Sequence, residues 1–230
     1  MIKDYKILAL IPARGKSLEL KKKNVKNFFK KPLIKWTIDA VKKSKLIDKV
    51  VVSTDSEKIL KIAKQYKFVS LSKRPKNLST RYANMYDVIK YEIKKNPGYD
   101  IIILLQPTSP LRSTSNIDKS LELMVRNKRQ SCVSFVELKY RPELMYKINK
   151  KQSLKNFKKT KLILNRQEVD KYFYPSGDIY ISHIFNFLKK RSFLDKNTFP
   201  FIIEKHKSID IDDIYDFRLG EIKLKISKKS

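Results

Sequence analysis

Short apolar runs alternate with amphipathic stretches along this chain. Ile7-Leu8-Ala9-Leu10-Ile11 is continuously apolar and reads as a buried strand. Leu33, Ile34, Ile38 and Val41 share one face at helical spacing, with Pro32 as a start signal, so 33–44 is predicted helical. Val50-Val51-Val52 predicts a second strand, ending at Ser53-Thr54-Asp55. Residues 56–67 read as a helix with Ile59, Leu60, Ile62 and Ala63 inward, 68–70 as a short strand and 83–95 as a helix. Residues 101–105 form the clearest central strand. A helix over 115–127, capped by Ser115, precedes a strand over 132–136.

The rhythm breaks between Leu138 and Tyr174, which holds Lys150-Lys151, Lys158-Lys159 and short alternating pieces. This stretch reads as an excursion from the sheet, either a substrate flap or an oligomerisation arm. A strand over 178–182, a helix near 183–190, a strand near 200–203 and a helix near 213–227 complete the pattern. The βαβα order predicts an α/β fold, a mostly parallel sheet with helices on both faces. The 230 residues are expected to form one domain, 1–230.

Composition narrows the classes. An apolar share of 41% supports a core, and no apolar run reaches the ~18 residues of a membrane span. The N-terminus runs straight into the first strand, unlike a signal peptide. The single cysteine, Cys132, sits in an apolar run as a buried strand residue, and a cytoplasmic setting is expected. The net charge of +30 raises a nucleic-acid reading. Ten Arg against 43 Lys, the lysines spread along the whole chain, argue against a specific reader. The charge would still attract a phosphorylated substrate.

Candidate chemistry follows the strands. The first strand empties at Pro12 into Ala13-Arg14-Gly15-Lys16-Ser17, then Lys21-Lys22-Lys23-Asn24. Backbone N–H groups and cations converging at a strand's carboxyl end suit phosphate. A P-loop is excluded, because that motif needs glycine where Leu10 stands. Gln106-Pro107-Thr108-Ser109-Pro110-Leu111-Arg112 is a rigid loop after the central strand. Asn165-Arg166-Gln167 and 174–180 form a third segment. On an extended backbone, Asp210 and Asp212 put two carboxylates on one face, a donor pair suited to Mg²⁺. Ser56, Asp213 and Asp216 read as helix-start residues, His183 and His206 as structural, and Phe185, Phe187, Phe193 and Phe199 as core.

In this order, "IPARG…KKKN", "VVSTDSEKI", "RPKNL", "LLQPTSPLRS", "NRQ…YPSGDIYIS" and "DIDDIYDF" resemble the acylneuraminate cytidylyltransferases, from about Ile7 to Phe217. The resemblance implies a nucleotide-diphosphosugar-transferase-like domain that transfers CMP from CTP to a nine-carbon 2-keto acid sugar, giving the CMP-sugar and pyrophosphate. It implies Arg14, Ser17, Lys23 and Asn24 at the triphosphate and Arg74 near the cytosine. Gln106, Ser109, Arg166, Gln167 and Tyr180 match the sugar side, and Asp210 and Asp212 the Mg²⁺ carboxylates. Arg14, Lys23 and Asp212 are the catalytic candidates, and 139–175 matches a homodimerisation arm. No membrane or specific nucleic-acid partner is implied.

The loop departs from the family at three positions: Lys16 and Glu19 stand where the family has glycine, and Leu18 where it has lysine. Elsewhere Arg81 stands where the family has Asp, and Ser176-Gly177-Asp178 where it has Asn-Gly-Ala. Lys16, Lys21 and Lys22 are candidates to compensate. A CMP-Kdo-type or other sugar nucleotidyltransferase, and a non-catalytic nucleotide-binding relative, are the alternatives.

Overall fold

The computed structural model describes residues 2–17, 19–140, 142, 145–150, 152–156 and 171–227. In chain order the elements begin with β1 (Ile7–Pro12), the small hairpin β2 (Asn27–Phe28) and β3 (Lys31–Pro32), and α1 (Leu33–Lys42). β4 (Lys49–Thr54), α2 (Glu57–Ala63), β5 (Val69–Lys73), α3 (Met85–Lys95) and β6 (Ile101–Leu104) follow. Then come α4 (Thr114–Arg126), β7 (Ser131–Glu137), β8 (Tyr146–Ile148) and β9 (Leu154–Asn156). The chain continues through β10 (Phe173–His183), α5 (Ile184–Lys190), β11 (Phe199–Ile202) and α6 (Ile214–Ser227).

Seven strands form one sheet in the order β11-β7-β10-β6-β1-β4-β5. β1 lies between β6 and β4, parallel to both. The period-2 alternation of strand side chains divides the core. Ile7, Ala9 and Ile11 meet Ile34 and Ile38 of α1, Ile59 of α2 and Ile117 and Leu121 of α4. Leu8 and Leu10 meet Ile89 and Ile93 of α3 and Phe187 of α5 on the opposite face. Both faces are therefore covered, which is why β1 is apolar at every position.

β10 runs antiparallel between β6 and β7 and is longer than predicted, with an irregularity between Pro175 and Tyr180. It carries the third sequence segment into the middle of the sheet. The 138–174 excursion contributes the β8–β9 hairpin, with Tyr146, Ile148 and Leu154 exposed.

Several local expectations are corrected. α2 stops at Ala63, because Gln65 and Tyr66 bond back to Ile62 and Ala63 in a tight turn that reverses the chain into β5. Ser113, not Ser115, caps α4: its Oγ accepts from Asn116 N at 3.1 Å, and Ser115 already lies within the first turn. Ser56 occupies the cap position of α2 without a side-chain cap bond. The four phenylalanines are not one cluster. Phe187 and Phe193 stack at 4.6 Å, Phe199 lies with the opposite-face core, and Phe185 is exposed. Cys132 is buried on β7, and burial pushes its thiol up to about 12.

Candidate active site

The loop after β1 is built on the neighbouring strand β4. Ala13 N donates to Ser53 O at 2.9 Å, extending the β1–β4 ladder, and Gly15 N donates to Asp55 Oδ1 at 2.7 Å. A Cβ at position 15 would lie 2.8 Å from Ser56 Cβ, so this turn admits only glycine without a shift. Ten residues on, buried Asn24 donates from Nδ2 to the Arg14 carbonyl at 3.0 Å. Lys22, at φ 57°, takes the left-handed conformation that turns the chain into this contact.

This closure brings predicted residues together. Arg14, Ser17, Lys23 and Asn24 line a cavity of about 230 Å³ with Arg74, Gln106 and Thr108. Its other wall is largely apolar and includes Leu78, Ala83, Met85 and Val88. Lys16 and Lys22 do not line it. They border a separate cavity of about 240 Å³, with Lys58, Asp55 and Ser56. The structure thus places two of the three candidate compensating lysines away from the cleft.

Arg74 leaves the end of β5, where its N–H donates to Thr54 O at 2.8 Å. Its guanidinium is nearly buried and donates to Ser53 Oγ at 3.2 Å and Ser53 O at 2.8 Å. Burial lowers its pKa, opposed by Asp55 and Glu92, with Arg14 adding to the fall.

The Asp210-Ile211-Asp212 segment borders this cleft. Ile211 is fully buried and its N–H donates to Thr108 O at 2.9 Å, which turns both aspartates to the other side. Lys23 Nζ donates to the Ile211 carbonyl at 2.5 Å and to Asp212 Oδ1 at 3.1 Å. Asp216 Oδ2 accepts from Asp212 N at 3.0 Å, while Asp213 Oδ1 accepts from Tyr215 N and Asp216 N at 2.7 and 2.9 Å. Asp213 and Asp216 are therefore the helix-start residues the sequence predicts, and they hold Asp212 in place.

Asp210 is solvent-accessible yet ringed by protein. Desolvation holds its carboxyl above the usual range, helped by Asp212 and Asp216 and opposed by a Thr108 hydrogen bond and Lys23. Gly177, at φ +83°, lets β10 approach it. A Cβ there would sit 2.9 Å from Asp210 Oδ2 and 3.4 Å from Ser109 Oγ. Among the described residues, no group of three His, Cys, Asp or Glu could hold a metal. Two carboxylates on one face, one with a raised proton affinity, do fit a hard cation that completes its shell from substrate and water.

Ser109 is fully buried behind this point, its hydroxyl without a hydrogen-bond partner among the described residues. Tyr180, half-buried on β10, stacks on Phe193 at 5.7 Å, and burial together with Asp210 and Asp178 raises its pKa. Arg166 and Gln167 lie outside the described residues.

Three residues escaped the sequence reading. Asp55 and Thr108 anchor the two loops through the contacts above. Arg112 is buried and donates to Asp178 O at 2.5 Å, Thr37 Oγ1 at 3.1 Å and Gln106 O at 2.7 Å. Burial lowers its pKa to about 10, against the pull of Asp178 and Asp210. It ties the β6 loop, α1 and β10 together. The only signal in the sequence was its place in a Pro-rich loop, which does not separate a pin from a ligand.

Comparisons with known proteins give the family. A family model described as cytidylyltransferase matches residues 8–224. The N-acylneuraminate cytidylyltransferase of Escherichia coli O18:K1:H7 (strain RS218 / NMEC) is 33% identical over 94% of this chain and 51% of its own length. The chain thus spans about half the length of that relative. The CMP-N,N'-diacetyllegionaminic acid synthase of Legionella pneumophila subsp. pneumophila (strain Philadelphia 1) is 31% identical over 98% of this chain and 99% of its own. A solved CMP:2-keto-3-deoxy-manno-octonic acid synthetase complexed with CTP shares the fold, with a TM-score of 0.68 at 15% identity over 98% of this chain and 100% of that one. The family model covers residues 8–224, nearly the whole chain, and the chain belongs to the cytidylyltransferase family.

Proposed function

We propose that this chain transfers CMP from CTP to a nonulosonic acid, giving the CMP-sugar and pyrophosphate. The observation that carries the reading is one cleft lined by Arg14, Ser17, Lys23, Asn24, Arg74 and Gln106, with two aspartates tied to its rim through Lys23 and Thr108. The names of the E. coli and Legionella relatives supply the sugar class.

The chain's residues divide the work. The triphosphate lies along Arg14, Ser17, Lys23 and Asn24, and the nucleoside along Arg74 and the wall of Leu78, Ala83, Met85 and Val88. The sugar lies towards Gln106 and Tyr180, with Arg166 assigned as the fork for its carboxylate and Gln167 as a further sugar ligand, while Ser109, fully buried, would support the sugar side from behind. The anomeric hydroxyl attacks the α-phosphorus and gives up its proton to solvent, the bond to the bridging oxygen breaks, and pyrophosphate leaves. Arg14 and Lys23 neutralise the charge on the leaving group, the main demand of phosphoryl transfer. Asp210 and Asp212 would hold Mg²⁺, which when bound supplies charge neutralisation at the phosphate oxygens and activates the hydroxyl.

The exposed Tyr146, Ile148 and Leu154 of the β8–β9 hairpin support the excursion as a dimerisation arm. We place the enzyme in the cytoplasm as a homodimer; among the described residues no helix is long and apolar enough to cross a membrane.

The test is pyrophosphate release from CTP and Mg²⁺ with N-acetylneuraminic and N,N'-diacetyllegionaminic acids and related nonulosonic acids. Release with at least one is expected. CTP binding without release across the panel rejects the transferase reading.

A further inference from the structure

Glu92 on α3 is fully buried, and among the described residues neither of its carboxylate oxygens has a hydrogen-bond partner. A buried carboxylate without compensation is costly, so its retention needs an account. α3 supplies one. Val88, Glu92 and Lys95 are spaced i, i+4 and i+7 and share a helix face. At one end, Val88 lines the cleft alongside Arg74. At the other, Lys95 Nζ donates to Ser72 Oγ at 3.1 Å, two residues before Arg74. Glu92 lies between these two positions on that face of α3.

Arg74 needs such support. It is only 6% exposed, and Ser53 offers it neutral acceptors. Asp55, the other carboxylate acting on it, has one oxygen engaged by Gly15 N. The charge of Glu92 opposes the effect of burial on the guanidinium.

We propose that Glu92 is a positioning residue, a buried countercharge that keeps the Arg74 guanidinium fixed in the nucleotide cleft and thereby sets CTP affinity without touching CTP. This rests on the assignment of that cleft to CTP. A guanidinium held by a countercharge behind it loses less freedom on meeting its ligand. It also explains why a polar residue occupies a face otherwise made of Val88, Ile89 and Ile93.

The experiment measures CTP affinity by calorimetry, without sugar, for the full chain, Glu92→Gln, Arg74→Ala and the double variant. Glu92→Gln is expected to weaken CTP about tenfold, the scale of one charge-assisted contact. Its melting temperature should fall, since the buried Arg74 guanidinium loses its countercharge, with unfolding still cooperative. The double variant should bind CTP no more weakly than Arg74→Ala alone. Glu92→Met serves as the companion variant, with the same expectation for CTP. Unchanged CTP affinity in both Glu92 variants, with affinity lost in Arg74→Ala, overturns the inference. So does a double variant whose losses add in full. Unchanged affinity in Arg74→Ala instead overturns the cleft assignment, and the role of Glu92 with it.

Discussion

Lys23 Nζ lies 3.1 Å from Asp212 Oδ1, across 189 residues of sequence. The same ammonium donates to the Ile211 carbonyl. One lysine thus clasps the segment after β1 to the carboxylate segment. Before substrate arrives it neutralises Asp212, and Asp212 must exchange it for a cation and phosphate oxygens if it is to serve as a metal ligand. The contact sets the distance between the two halves of the site.

The first prediction concerns that carboxylate. Asp212→Asn is expected to lower turnover by at least ~100-fold, because a hard anionic donor becomes a neutral one. The side chain is exposed, so the melting temperature should move little. Pyrophosphate release and a thermal melt check both. Wild-type turnover in this variant would remove the metal assignment.

Asp210→Asn separates stability from activity. The Asp210 carboxyl is raised chiefly by desolvation, so its ionised form is disfavoured in the folded state. A raised acid contributes stability that is present below its unfolded pKa and lost as pH rises through the folded one. The ligand-free variant should therefore melt higher than wild type at neutral pH, the gain fading as pH falls through the ordinary carboxylate range. Turnover should be lost at every pH. A gain that instead grows in acid has the wrong sign for this account.

Lys16→Ala and Lys22→Ala are expected to change CTP affinity by no more than about threefold, since exposed charges facing another cavity act only through screened fields. Arg14→Ala and Lys23→Ala should each cost tenfold or more, on the order of a charge-assisted contact. Calorimetry on the four variants gives the ranking. The reverse order would mean that the triphosphate lies on the far side of the loop.

Gly177→Ala is expected to destabilise the fold by about 1–3 kcal/mol, from a positive φ and an overpacked contact. Its Cβ would press on Asp210, so the Mg²⁺ concentration needed for half-maximal turnover should also rise. Denaturant melts and a Mg²⁺ titration read the two effects. A neutral substitution on both would place Asp210 away from the β10 backbone.

Arg112→Met should cost about 3–5 kcal/mol, as for breaking one partner of a buried charged network. Three acceptors on three elements lose their donor at once. Denaturant unfolding checks this, and a loss below 1 kcal/mol would show that the three elements hold without it.

The alternating pattern was enough to read the α/β fold and the approximate place of most elements, because burial on both faces forces uninterrupted apolar runs such as Ile7 to Ile11. Spacing alone also put Asp210 and Asp212 on one side, since an extended chain repeats every two residues. Local signals stopped there. Which serine caps α4 depends on where the backbone turns, and α2 ends early because the chain must reverse into β5. Which lysines face the cleft depends on how Asn24 closes the loop on Arg14. Lys16 and Lys22 have the same chemistry as Lys23, and only their placement separates them. The roles of Arg112 and Glu92 lie further still from the sequence. A buried charge is defined by the atoms around it, and those come from segments that only the folded sheet brings together.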